Sequence, residues 1–212
     1  VAVGTAGTIL YNSRQYTYPG NNSTKGTTIN STGWTQALSG TTQNLNGIAN
    51  NNYTGGDATL WVAVGNSPNN SIATSTDGTI WTWGRGQYGA LGLGNTTTYS
   101  SPKQVGALTT WSNVASGYYH TIATKTDGTL WSWGYNSAGQ LGLNNTTNYS
   151  SPMQVGALTT WSKVACGYAH TIATKTDGTL WSWGWNNSGQ LGLGNATNYS
   201  SPKQVGALTT WL

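Results

Sequence analysis

The chain has 212 residues, of which 6% are charged, with 30 Gly, 12 Trp, 12 Tyr, no Phe and a formal net charge of +4. Aromatic residues at recurring positions argue against a disordered polar tract, which is depleted in them. The eight Lys and Arg form no run, so the concentrated basic face that phosphate neutralisation requires is missing and no nucleic-acid partner is expected. No apolar run reaches the roughly 18 residues of a membrane span, so no membrane insertion is expected, and a single cysteine, Cys166, precludes an intrachain disulfide.

In chain order, residues 1–13 (VAVGTAGTILYNS) resemble residues 62–75 with a shorter connection, so the chain opens inside a repeat, as expected for a processed or partial product. Residues 14–33 are rich in Asn, Ser, Thr and Gly around Pro19-Gly20 and read as a long surface loop. From Trp34 the text becomes repetitive, with an Asn/Gly-rich loop carrying Asp57. Residues 60–65 and 71–75 read as short strands. Asp77-Gly78 followed by TIWTW reads as a hairpin with a two-residue type I′ turn, and the same hairpin is expected at Asp127-Gly128 and Asp177-Gly178.

The stretch TIATKTDGTLWSWG at 121–134 returns letter for letter at 171–184, and a looser copy fills 71–84. Blocks 111–160 and 161–210 match at 41 of 50 positions. The nine differences are Asn113/Lys163, Ser116/Cys166, Tyr119/Ala169, Tyr135/Trp185, Ser137/Asn187, Ala138/Ser188, Asn144/Gly194, Thr146/Ala196 and Met153/Lys203. Most exchange polarity or bulk, which a close-packed interior tolerates poorly, so these positions are expected to face solvent or a partner. The invariant set is the expected core, including Ile122, Leu130, Leu141 and Leu143 and the tryptophan pairs Trp81/Trp83, Trp131/Trp133 and Trp181/Trp183. Each unit offers about four short strands, the last a weaker one around SPMQVGAL and preceded by Pro102, Pro152 or Pro202, as befits an edge strand. Gly punctuation and aromatic recurrence at this interval describe an all-β fold, a β-propeller.

The phrases HTIATKTDGTLWSWGYNSAGQLGLNN and HTIATKTDGTLWSWGWNNSGQLGLGN resemble repeats of the regulator of chromosome condensation family, over residues 83–211. Residues 1–82 look more like Asp-box repeats of neuraminidase type, through STDGTIW and SGTTQNLNGIA. The resemblance implies one continuous propeller domain: Asp-box-like blades at 1–82 with the irregular loop at 14–33, then regulator-like blades at 83–212. Family propellers close with seven blades, whereas this chain supplies about four of four-stranded antiparallel sheet, so part of a larger or multi-chain propeller is expected.

Catalytic groups do not converge in this pattern. Asp77, Asp127 and Asp177 sit in equivalent turns on different blades and are read as structural, so no catalytic residue and no enzyme activity are expected. His120 and His170 recur alone, which suits a repeated structural hydrogen bond better than a metal site; neither a metal nor a cofactor is expected. The strings GQLGLNN and GQLGLGN lack the lysine and helix of a phosphate loop and read as tight turns beside a crowded propeller axis. Arg85, Tyr119, Tyr135, Trp185 and Met153, at positions where the copies disagree, are the candidate interaction residues, because exposed Tyr, Trp and Arg are enriched in interfaces. The expected function is a non-enzymatic structural or surface-decoration protein of a virion, fibre or cell surface. Its expected partners are structural subunits or copies of itself, with surface glycans as further candidates. An extracellular binding module, adhesin or inhibitor, is the alternative, and guanine-nucleotide exchange a remote one that the resemblance implies.

Overall fold

The computed structural model describes residues 78–211 with their side chains and, before them, the backbone of the strands up to residue 76. The loop read at 14–33 and the residues Asp57 and Asp77 lie outside the described residues. Strands β1 (Ala2–Val3), β2 (Thr8–Tyr11) and β3 (Thr35–Leu38) form a three-stranded sheet. A five-stranded sheet follows, of β4 (Gly47–Asn50), β5 (Trp61–Val64), β6 (Ser71–Thr76), β7 (Thr79–Gly84) and β8 (Tyr99–Gln104). Two four-stranded sheets complete the series: β9 (Trp111–Ser116), β10 (His120–Lys125), β11 (Leu130–Gly134) and β12 (Tyr149–Gln154), then β13 (Trp161–Cys166), β14 (His170–Lys175), β15 (Leu180–Gly184) and β16 (Tyr199–Gln204). All pairings are antiparallel between chain neighbours, so each sheet is a meander, the blade of a β-propeller. The expected four strands per blade hold for the last two sheets; among the described residues the first has one fewer and the second one more.

Successive blades stack face to face, and the apolar core is divided into one cluster per blade boundary. Ile80 and Val105 of one blade close on Trp111, Val114, Ala123 and Trp133 of the next. Ala115, Ile122, Leu130 and Val155 close in the same way on Trp161, Val164, Ala173 and Trp183. The tryptophan pairs divide accordingly. Trp133 and Trp183 are fully buried, whereas Trp81, Trp83, Trp131 and Trp181 are half-buried, so the tryptophans expected as core divide into fully and partly buried ones. Trp131 and Trp181 pack against the same clusters as their partners two residues on, and lysine covers their rings: the Lys125 ammonium lies 3.7 Å from the Trp131 centroid and that of Lys175 3.6 Å from Trp181. None of the nine differing positions is fully buried as a residue in either copy, although the Cys166 thiol packs inward against the inter-blade cluster.

Polar groups fix the strand connections. The Asp-Gly hairpins differ from the expected two-residue type I′ turn: Gly128 N–H donates to the Lys125 carbonyl, and Lys125 N–H to the Thr129 carbonyl, leaving a three-residue loop. Asp127 and Asp177 are not among the residues with positive φ, and Gly128 at φ +76° takes the left-handed position, so the turn is a type I turn with a glycine bulge. The physical reason is the aspartate itself. Asp127 Oδ1 accepts from Thr129 N–H at 2.9 Å and Thr129 Oγ1–H at 2.6 Å, and Thr129 Oγ1 accepts from Trp131 Nε1–H at 2.9 Å. The same chain runs through Asp177, Thr179 and Trp181.

The strand expected around SPMQVGAL lies earlier, at β12, with Pro152 inside it; β12 pairs with β11 alone, so the missing N–H costs no ladder bond. The connection from β11 to β12 is organised by fully buried Asn136, whose Nδ2 donates to the carbonyls of Asn145 and Thr147 and whose Oδ1 accepts from Leu141 N–H. The GQLGLNN turn lies wedged between blades: a Cβ on Gly142 would meet Trp183 Nε1 of the next blade at 2.7 Å.

Candidate functional site

Antiparallel meanders send alternate connections to opposite ends. The β9–β10 and β11–β12 connections, with their counterparts in the neighbouring blades, share one end; the Asp-Gly hairpins and exposed Leu108, Leu158 and Leu208 share the other. On the first of these ends six aromatic rings and one cation form a continuous band over three blades. Arg85 lies over the Tyr119 ring at 6.0 Å, and Tyr88 meets Tyr119 edge-on at 5.1 Å and Tyr135 at 4.5 Å. Tyr118 meets Tyr119 at 4.2 Å and stacks on Tyr168 of the next blade at 4.5 Å with 23° between the planes; Tyr168 continues to Trp185 at 6.2 Å. A backbone hydrogen bond from Tyr118 N–H to the Tyr168 carbonyl ties the two loops together. Tyr168 is 54% exposed and the other rings of the band are half-buried, so Tyr168 presents the band's largest free ring face to solvent.

The structure thus brings together Arg85, Tyr119, Tyr135 and Trp185, four of the five candidate residues. Met153 stands apart, on edge strand β12 opposite Ser132. The comparison of repeats passed over three members of the band. Tyr118 and Tyr168 are identical in both copies, and a search for differences cannot find them. Tyr88 has a local signal: Gly86 replaces the loop-organising asparagine found at Asn136 and Asn186. Without that side chain the loop folds into a 3-10 turn at Gln87–Gly89, and Tyr88 sits at φ +59°, an unusual conformation for a tyrosine. Beside it opens a cleft of about 550 Å³ lined by Arg85, Gln87, Tyr88, Thr96, Thr98, Asn148 and Ser150.

Electrostatically, this end carries the Arg85 guanidinium and, among the described residues, no carboxylate, since Asp127 and Asp177 lie at the opposite end. Desolvation first, and the contact with Tyr118 next, raise the Tyr119 pKa, so its phenol stays neutral. Beneath the band His120 is fully buried and held neutral, its pKa pushed down to about 3 by burial and then by His170. Thr171 Oγ1–H donates to the Gln140 carbonyl, so His120 Nε2 must carry the proton and donate to Thr171 Oγ1 at 3.2 Å. Burial pushes the Cys166 thiol well above its usual pKa, which disfavours the nucleophilic thiolate. Among the described residues no three His, Cys, Asp or Glu side chains come together as metal ligands would. The arrangement is suited to holding a surface by stacking and shape.

The regulator of chromosome condensation (RCC1) repeat matches residues 77–124, 127–174 and 177–211, and a second description of the same repeat matches 111–140 and 161–190. The chain belongs to the regulator of chromosome condensation repeat family. Three solved structures share the regulator-type fold. Human WBSCR16 aligns with a TM-score of 0.60 and 24% identity over 69% of this chain and 40% of its own. Prp20p from Saccharomyces cerevisiae, described with its binding to Gsp1p and histones, gives 0.60 and 20% over 69% of this chain and 38% of its own. Yeast RCC1 (Prp20) in complex with Kap60 gives 0.58 and 21% over 74% and 39%. The chain therefore spans about two fifths of the length of the structures it matches.

These regulator-type relatives correct two expectations. The reading as a surface-decoration protein of a virion, fibre or cell surface, with its adhesin or inhibitor alternative, rested on neutral polar composition. That composition reflects threonine and asparagine used in turns and blade contacts, as in the Thr129 and Asn136 networks. The extracellular or virion-surface location falls with it, since the yeast propeller's partners are Gsp1p, histones and Kap60. The family match also begins at residue 77, inside the stretch assigned to Asp-box repeats.

Proposed function

We propose that this regulator-type propeller is a protein-binding module whose partner docks on the aromatic end. The observation that carries this reading is the continuous band from Arg85 through Tyr88, Tyr119, Tyr118 and Tyr168 to Trp185. Tyrosine, tryptophan and arginine are the side chains that dominate protein interfaces, and a band crossing three blades is wide enough to be the centre of one. The activity is non-catalytic at the level of covalent chemistry, because binding alone uses every group in the band. The partner class is that of the yeast propeller, a small protein such as Gsp1p or a histone; structural subunits, copies of the chain and glycans are the competing ligands. In this reading residues 1–82 are Asp-box-like blades that continue into residues 83–212 as one propeller.

The test is titration of the purified chain with recombinant Gsp1p and with core histones by calorimetry, repeated with Tyr168→Ala and Trp185→Ala. Both side chains are partly exposed, so the fold should survive, and removal of a central anchor should weaken binding by at least about tenfold. Equal affinity of both variants and the parent would overturn the assignment of the site; binding to a glycan array in place of either protein would overturn the partner class. Nucleotide exchange on Gsp1p is the second reading, favoured by the similarity to Prp20p, and acceleration of nucleotide release by the chain decides it.

A further inference from the structure

The loop that follows β7 departs from its own repeat. It reads Arg85-Gly86-Gln87-Tyr88 where its counterparts read Tyr135-Asn136-Ser137-Ala138 and Trp185-Asn186-Asn187-Ser188, and Thr98 stands where they have Asn148 and Asn198. In the counterparts paired asparagines lock the loop: Asn148 Oδ1 accepts from Asn136 N–H at 2.8 Å, and Asn198 Oδ1 from Asn186 N–H at 2.7 Å. The other two blades fold with different residues at these positions, so the blade itself does not require the departures. They gather around one feature, the cleft of about 550 Å³ at the boundary with the next blade, which Arg85, Gln87, Tyr88 and Thr98 line. A Cβ on Gly86 would meet the Thr97 carbonyl oxygen at 2.0 Å, and one on Gly89 the Cα of Ser150 in the next blade at 2.3 Å. The turn is therefore pressed against both loops that wall the cleft, which makes the cleft preformed.

The chemistry of the lining is one-sided. Arg85 is exposed at the mouth, and no carboxylate lines the cleft. Asn148 engages Oδ1 on Asn136 N–H, which leaves its Nδ2 donor without a partner among the described residues. A cation surrounded by neutral donors suits an anion. A guanidinium holds a carboxylate through two parallel N–H···O bonds, and one cation balances one carboxylate; a phosphate monoester, with a charge of about −2, would be left half-balanced. On the same wall the Gln87 side-chain oxygen is buried and has no hydrogen-bond partner among the described residues. A buried acceptor of this kind calls for a donor beside the anion, and a peptide N–H supplies one.

We propose that this cleft is a binding subsite for an acidic side chain of a peptide segment, the carboxylate held by Arg85 and Asn148 and the neighbouring peptide N–H by Gln87. The inference rests on the reading of the aromatic end as a protein-docking surface, since Arg85 and Tyr88 belong to both cleft and band. It gives that surface a sign: the segment that crosses β7 and its loop carries Asp or Glu.

The experiment titrates the chain with acetyl-Gly-Glu-Gly-amide and follows the side-chain amide signals of Gln87 and Asn148 by heteronuclear NMR. Both signals should shift, and acetyl-Gly-Gln-Gly-amide should bind at least about tenfold more weakly. Arg85→Gln, at an exposed position, should abolish that preference, whereas Lys203→Gln, which removes the same charge from β16, should leave it unchanged. Absence of shifts, equal affinity for the two peptides, or a preference that survives Arg85→Gln would overturn the proposal. Tighter binding of inorganic phosphate than of the Glu peptide would overturn it in favour of a phosphoryl group. The two readings fail separately: shifts with the Glu peptide but no binding of Gsp1p or histones would sink the docking surface alone, and docking that depends on Tyr168 and Trp185 without any response to the Glu peptide would sink the subsite alone.

Discussion

Leu130 and Leu180 occupy the same place in two nearly identical repeats, and they differ in whether a following blade covers them. Leu130 is 0% exposed within the cluster that joins two blades, whereas Leu180 is half-buried. Truncating a fully buried leucine to alanine costs about 3–5 kcal/mol, because the lost transfer free energy is joined by an enclosed cavity. At Leu180 the transfer loss is roughly halved, to about 1 kcal/mol, and the vacated space opens to solvent, so the cavity contribution falls away. Leu130→Ala should therefore cost about 2–4 kcal/mol more than Leu180→Ala. In a chain of this size that separates their melting temperatures by roughly 5–15 °C. Thermal unfolding followed by circular dichroism, checked by urea midpoints, measures the difference. Equal melting temperatures for the two variants would refute the division of the core into blade-boundary clusters.

Stability should fall as the solution is acidified below about pH 6.5. The folded pKa of His120, about 3, lies below its unfolded value of about 6.5, so the unfolded chain binds more protons between them and the stability present above pH 6.5 is lost toward pH 3. Urea midpoints in that range should drop for the parent and flatten for His120→Gln; parallel curves would remove His120 as the cause. Asp127 and Asp177 act in the same direction lower down: Thr129 and Thr179 hold their pKa values below normal, so their contribution is present above about pH 4 and fades as pH falls through the folded values. Carbon-detected NMR titration of the two carboxyls should place both below the ordinary aspartate pKa. Asn136→Ala should cost on the order of 3 kcal/mol, since it leaves the Leu141 N–H and the Asn145 and Thr147 carbonyls without their partner; a loss under about 1 kcal/mol would show that the loop holds itself.

The fold was largely legible because the repeat speaks three times. A period of 50 residues, paired tryptophans and Asp-Gly punctuation identify a blade, and the strands at His120–Lys125 and His170–Lys175 fall where the pattern places them. The turn type was not legible from the dipeptide, because Asp127 is held by Thr129 two residues on. Nor was the burial of the tryptophans: Trp131 and Trp133 read alike and share one face of β11, but Trp133 reaches the Ala90 carbonyl of the preceding blade while Trp131 lies under Lys125. The aromatic band was half legible. Disagreement between copies marks Tyr119, Tyr135 and Trp185, but Tyr118 and Tyr168 agree and are silent to such a comparison. The expected location failed because polarity without charge signals how the turns are bonded, and carries no address.

The central claim is that a protein partner docks on the end that carries the aromatic band. A hydrogen-exchange footprint of the chain in complex with Gsp1p or a histone tests it most directly. The account predicts slowed exchange at residues 117–119, 135–138, 168–169 and 185–188, with no change at the opposite end around residues 126–128, 156–160 and 176–178. Protection confined to that opposite end would contradict it.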